Sequence, residues 1–226
     1  MTETNLFPLW LSLRTASIST VVVFIAGIAI AYLMARRTFF GKNALEAFFL
    51  LPLVLPPTVV GFGLLYLFGK NGVIGRLLTY LFDFQIVFTW YGALIAAIVV
   101  SFPLMYQSAA AAFGQYDKNI ENAAFTMGKS RWHVFWTISF PLAWPGLLAG
   151  VVLAFARGLG EFGATLMLAG YIPNQTDTIP MAIYFAVEAG DMETAKNWVI
   201  LIVILGFAAI YWLNWWSTKR MMKHRR

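Results

Sequence analysis

Cysteine is absent from all 226 residues, which excludes disulfides, thiolate metal sites and thiol nucleophiles. Histidine occurs only as His133 and His224, too sparse for a cluster of metal ligands, so the expected metal site is none. Charged residues make up only 12% of the chain, well under the share of a soluble globular protein. No Gly-x-x-x-x-Gly-Lys-[Ser/Thr] phosphate loop is present, and 63–70 lacks that order, so no ATPase site of this kind is expected in the chain. The apolar runs contain no paired carboxylates, Ser–Lys dyad or histidine cluster, which argues against an intramembrane enzyme. No internal repeat and no mid-membrane set of carboxylates supports a secondary transporter. A channel would leave the polar segment at 114–141 without a role. Alternating ten-residue strands are missing too, which excludes a β-barrel. The start of the chain lacks a basic n-region and its first apolar run is long, so that run is expected to persist as a span.

What the chain has is apolar sequence: 60% of residues, in runs that exceed the roughly 18 residues needed to cross a hydrocarbon core. The mean hydropathy is +0.73. This predicts an all-α polytopic membrane protein with five spans near 9–35, 44–68, 87–112, 142–168 and 198–216, followed by a basic tail at 217–226. Pro52, Pro56 and Pro57 interrupt the second span and Pro103 the third. With Gly160 and Gly163 they are candidate flex points, or else kinks that only shape packing.

The formal charge of +6 arises from basic residues at the ends of apolar runs, a pattern that fits membrane lipid and not nucleic acid. An outside N-terminus leaves eleven lysines and arginines on the cytoplasmic side and three on the outer side, so the N-terminus is expected outside and the C-terminus in the cytoplasm. The apolar stretch 178–188, with Pro180 in its first turn, is too short to span and reads as a re-entrant or interfacial helix. Trp10, Trp90, Trp198, Trp212, Trp215 and Trp216 lie near span ends and read as interfacial anchors.

Residues 114–141, GQYDKNIENAAFTMGKSRWHVFWTISFP, then fall in the cytoplasm. Asp117 is placed to cap a helix whose apolar positions Ile120, Ala123, Ala124 and Met127 recur at helical spacing. Gly128 supplies a left-handed stop. Ser130 is placed to cap a second helix carrying Trp132, Phe135 and Trp136, which Pro141 is expected to break. Periodicity alone leaves two readings open: a knob for a soluble partner, or an amphipathic loop on the headgroups.

The spacing resembles the signature of type I ABC importer permeases: Glu-Ala-Ala, three residues, Gly, nine residues, Ile-x-Leu-Pro. Ala123, Ala124, Gly128, Ile138 and Pro141 fall in register; Asn122 takes the acid's place with Glu121 one residue before it, and Phe140 replaces the leucine. RTFFGK at 37–42, LPLVLPP at 51–57 with Val60-Gly61, SFPL at 101–104, FARGLGEFGA at 155–164, YIPN at 171–174 and TIP at 178–180 are similar to the molybdate branch. The sulfate/thiosulfate branch usually has Glu-Tyr-Gly, and the tungstate branch tends to have Glu-Val-Gly, where this chain has Glu161-Phe162-Gly163. The resemblance implies a homodimer in the cytoplasmic membrane of a prokaryote. It also implies two cytoplasmic ATPase subunits that use ATP and Mg, and an extracytoplasmic molybdate-binding protein. The chain itself is then a permease without cofactor or ATPase site, with 9–216 as its transmembrane domain and 114–141 as the coupling segment.

Arg157 and Glu161, at i and i+4 of the fourth span, are placed to pair. Arg157 follows Pro141 by 16 residues, about 24 Å of helix, which puts it in the outer half of the bilayer. There it is either half of a structural ion pair or a source of positive potential for an oxyanion path.

Overall fold

The computed structural model describes residues 6–223, with side chains described as far as Tyr211. Among the described residues every regular element is helical. In chain order these are α1 (Phe7–Arg36), α2 (Lys42–Val54), α3 (Pro57–Phe68), α4 (Val73–Phe82), α5 (Trp90–Gln115), α6 (Lys118–Thr126), α7 (Arg131–Val134), a π turn (Phe135–Ser139), α8 (Phe140–Leu159), α9 (Gly163–Ala169), α10 (Ile179–Glu188) and α11 (Met192–Lys223).

Four helices are long and apolar enough to cross a membrane: α1, α5, the continuous helix Arg131–Leu159, and α11 up to Tyr211. The first has 30 residues and is about 45 Å long, more than a bilayer core requires. The second expected span is not one helix, because α2 and α3 meet at 115°. Pro56 and Pro57 force this turn. Leu55 precedes a proline and is extended at φ −74°, ψ 144°, and Pro57 opens α3. Pro52 and Pro103, by contrast, lie inside unbroken helices.

The fourth span needs two corrections. Pro141 does not break the helix that begins at Arg131, which continues to Leu159. Proline has no N–H for the carbonyl four residues back, and the wider π turn immediately before it accommodates that loss and the ring. The span does end before 168, at Gly160, and α9 starts three residues later. The helix of the fifth span runs from Met192 to Lys223, so the expected tail is in part a continuation of it, and His224 and 225–226 lie outside the described residues.

α1, α5 and α8 form the main core around Val23, Ala31, Met105, Ala109, Phe113 and Leu147. Small residues set the close approach of α5 and α8: a Cβ on Gly146 would lie 2.7 Å from that of Ala112, and one on Gly150 2.8 Å from that of Ser108. A second core joins α3, α5 and α9 through Val60, Leu64, Val100 and Leu168. The buried hydroxyls of Thr15, Ser19 and Thr20 bond to carbonyls of their own helix, as Thr20 does by donating to the Ala16 carbonyl at 2.6 Å. α11 packs chiefly on α10 and α8, and Val203, Ile204 and Phe207 stay exposed on its surface.

Candidate functional site

Two polar constellations stand out, one at each end of the α8 helix. The first is the 114–141 segment. Asp117 Oδ1 accepts the Asn119 N–H at 2.9 Å, and Ser130 Oγ accepts that of His133 at 3.3 Å, so both expected N-caps are present. Gly128 adopts φ +78° and closes α6: its N–H donates to the Phe125 carbonyl at 2.9 Å, and that of Lys129 to the Ala124 carbonyl at 3.1 Å. These two bonds are the Schellman pattern, which needs the left-handed residue.

The apolar positions of α6 do not form its buried face. Ala124 packs inward, but Ile120 is 46% and Met127 75% exposed, and Asn122 and Ala123 also face outward. The residue that anchors the helix is an acid. Glu121 has a side chain only 8% exposed; its Oε1 accepts from the Tyr116 hydroxyl at 2.6 Å and from Ser139 Oγ, and its Oε2 pairs with Arg36. Arg36 also lies over the Tyr32 ring, 4.3 Å from its centroid. One carboxylate therefore ties the short helix to the end of α1, the end of α5 and the π turn, and that turn places Ser139.

Burial by itself would raise the Glu121 carboxyl. The hydrogen bonds from Ser139, Tyr116 and Arg36, with the Arg36 charge, outweigh it and hold the group below the usual carboxylate range. Burial and the bond to Glu121 push the Tyr116 phenol up to about 12. The acid was legible in the sequence as the motif's displaced glutamate. Arg36, Tyr116 and Ser139 were not, because they come from separate elements. Ile138 is half-buried beside the cluster, and Pro141 and His133 are exposed.

The second constellation lies at the far end of α8. Arg157 Nη1 stands 2.6 Å from Glu161 Oε2, an ion pair not aligned as a hydrogen bond. Glu161 sits beyond the helix end and not, as expected, on a continuous span. Its Oε1 accepts the Ala164 N–H at 2.7 Å, so it also satisfies the start of α9. Its side chain is 2% exposed and that of Arg157 28%. Ser12, Thr15, Thr165 and Thr178 line a small cavity together with Glu161. Ser12 Oγ accepts the Ile179 N–H at 2.8 Å, which fixes the start of α10 against α1. Burial raises the Asp177 carboxyl in the connection just before it. Gly163 packs against α3, where a Cβ would lie 2.9 Å from that of Pro57, whereas Gly160 is exposed. Among the described residues no group of three or more acidic or histidine side chains is arranged to hold a metal ion.

The sequence profile of the family described as "Binding-protein-dependent transport system inner membrane component" matches residues 27–223. The chain is 50% identical over 207 residues to the "Putative molybdenum transport system permease protein YvgM" of Bacillus subtilis (strain 168), covering 92% of this chain and 91% of that one. It is 43% identical over 206 residues to the "Molybdenum transport system permease protein ModB" of Escherichia coli (strain K12), covering 91% and 90%. Among solved structures, its fold is similar to a chain of the bacterial alginate ABC transporter crystallised with a periplasmic protein bound to an alginate pentasaccharide. The TM-score is 0.72 at 17% identity, over 97% of this chain and 80% of that one.

Proposed function

We propose a function from the fact that this chain belongs to the family of binding-protein-dependent transport system inner membrane components: it is the permease subunit of an ATP-driven importer and forms the path for molybdate, a tetrahedral oxyanion. The observation that carries the substrate is the identity of 43 and 50% to two molybdenum permeases over nine-tenths of the chain. In this reading two copies pair to enclose the path, since one copy offers few spans. The orientation is N-terminus outside, C-terminus inside, in the cytoplasmic membrane of a prokaryote. Two ATPase subunits bind the 114–141 segment, and an extracytoplasmic binding protein delivers the anion.

The arrangement of α6 supports the assignment of its outer face to the ATPase. The helix is clamped from beneath by Glu121 and shows Ile120, Ala123 and Met127 outward, so a partner meets a preformed apolar surface on a held element. A push on that surface passes through Glu121 to α1, α5 and the π turn in front of α8. Arg157 and Glu161 are assigned to holding the α8–α9 break, because Glu161 satisfies both the arginine and the Ala164 N–H.

The test is molybdate uptake into vesicles that contain the permease, its ATPase and its binding protein. Uptake is expected to require ATP and to vanish when the ATPase is omitted. Uptake that persists without it would instead indicate a secondary transporter or a channel. Competition by sulfate and tungstate for the binding protein assigns the anion, and a stronger response to either overturns molybdate.

A further inference from the structure

A cleft of about 580 Å³ opens between the end of α1, the end of α5 and the inner flank of α6. Four basic residues line it: Arg36, Arg37, Lys118 and Arg131. Arg36 is neutralised by Glu121, but Arg37, Lys118 and Arg131 are exposed and meet no acidic partner among the described residues. They come from three places in the chain: the residue after α1, the first of α6 and the first of α7. The cleft thus carries three uncompensated positive charges, two of them at helix N-termini, where the peptide dipoles add to the potential. Its wall is apolar, with Leu33, Phe113 and Phe125.

We propose that this cleft binds the headgroup of an anionic phospholipid, with the phosphate held by Arg37, Lys118 and Arg131 and the upper acyl carbons lying on Leu33 and Phe125. Depth favours a lipid over a free phosphate. α1 and α5 are long and apolar enough to cross a membrane and end at Arg36 and Gln115, so the cleft lies where two apolar helices give way to the polar 114–141 segment. Trp132 and Trp136, exposed on the helix that begins at Arg131, are residues of the kind that settle at headgroup level. A free anion would use the cations but not the apolar wall, whereas a phospholipid uses both. A bound phosphate bridges the α1–α2 connection to α6 and so reinforces the Glu121 clamp from its open side.

The experiment is native mass spectrometry of the purified permease–ATPase complex, delipidated and then supplied with phosphatidylglycerol or phosphatidylcholine. The intact complex is expected to retain phosphatidylglycerol preferentially. Each basic residue near an anionic lipid contributes roughly fivefold, so Lys118→Gln should lower the preference about fivefold and the triple variant Arg37→Gln, Lys118→Gln, Arg131→Gln roughly a hundredfold. Arg37→Lys with Arg131→Lys keeps the charge and should keep the preference. Lys42→Gln and Lys129→Gln, outside the cleft, should leave it unchanged; an equal loss from either pair member would reduce the effect to general surface charge and overturn the site. Displacement of the lipid by millimolar inorganic phosphate would overturn it in favour of a free-anion site. Retention by the permease alone, lost on adding the ATPase, would show that a protein fills the cleft instead. The single variant Lys118→Gln touches no internal ion pair, so an unchanged preference there also refutes the proposal even if the triple variant does not fold. Uptake is not the readout, and the result stands whatever anion is transported.

Discussion

Replacing Glu121 by alanine tests how α6 is held. This helix has nine residues, too few to be stable alone in water, and buries only Glu121 and Ala124, so its position depends on tertiary contacts. Glu121→Ala removes bonds from Tyr116 and Ser139 and the pairing with Arg36. A hydrogen bond to a charged group contributes about 1.5–3 kcal/mol, and breaking a fully buried ion pair costs about 3–5 kcal/mol. The Arg36 side chain is 25% exposed and recovers some hydration once unpaired, which brings the expected loss to about 2–3 kcal/mol. At about 1.4 kcal/mol per factor of ten, the α6 amides should exchange with deuterium roughly 30- to 150-fold faster. The assay is hydrogen–deuterium exchange with mass spectrometry on peptides spanning 116–130, with the core of α5 as the internal reference that should not change. Arg36→Ala should act in the same direction, and the double variant should cost less than the sum of the two by about 1–2 kcal/mol, as expected for residues in contact. Strict additivity, or unchanged exchange in Glu121→Ala, would refute the clamp.

Three further outcomes follow from the geometry. Ala123→Glu, on the outward face, should leave α6 exchange unaltered but uncouple or abolish ATPase docking, whereas Ala124→Glu, on the buried face, should destabilise α6 itself; identical behaviour of the two would remove the distinction between faces. Arg157→Ala leaves the buried Glu161 carboxylate without its cation and should cost about 3–5 kcal/mol, seen as loss of assembled complex, with Arg157→Lys recovering much of it; normal assembly with lost transport would assign the pair to the anion path instead. The clamp also has a pH window. Glu121 titrates below the ordinary carboxylate range, so its contribution is present at neutral pH and is lost as pH falls through that lowered value. The Tyr116 phenol is raised, so its contribution is full below pH 10 and disappears as pH climbs to about 12. Tyrosinate absorbance compared between wild type and Tyr116→Phe should show one phenol ionising near 12, and a difference spectrum that titrates near 10 would contradict the buried bond.

Much of this protein is legible along the chain because water and hydrocarbon act on each segment separately. A long apolar run favours a membrane-crossing helix from its own composition, which is why α1 and α5 lie close to their expected places. Caps are equally local: Asp117, Gly128 and Ser130 each act on backbone groups within a few residues, and the positions expected from sequence are the positions found. Proline was less informative. Its missing N–H is evident in the sequence, but the outcome depended on neighbours: Pro56 and Pro57 together turned the chain by 115°, whereas a π turn carried the helix through Pro141.

Composition and spacing alone therefore determined the class of protein and the helix–glycine–helix segment, since each follows from interactions within one stretch of chain. Tertiary structure alone decided which side of α6 is anchored. Hydrophobic periodicity grouped Ile120, Ala123, Ala124 and Met127 without fixing what that face meets; the residues that pack inward are Ala124 and Glu121, the acid because Arg36, Tyr116 and Ser139, from three other elements, meet there and compensate its burial. A carboxylate has no apolar moment to announce it, and its partners stand as many as 85 residues away. The same holds at Glu161, whose spacing to Arg157 was readable but whose second bond, to the start of α9, exists only because the span ends at Gly160.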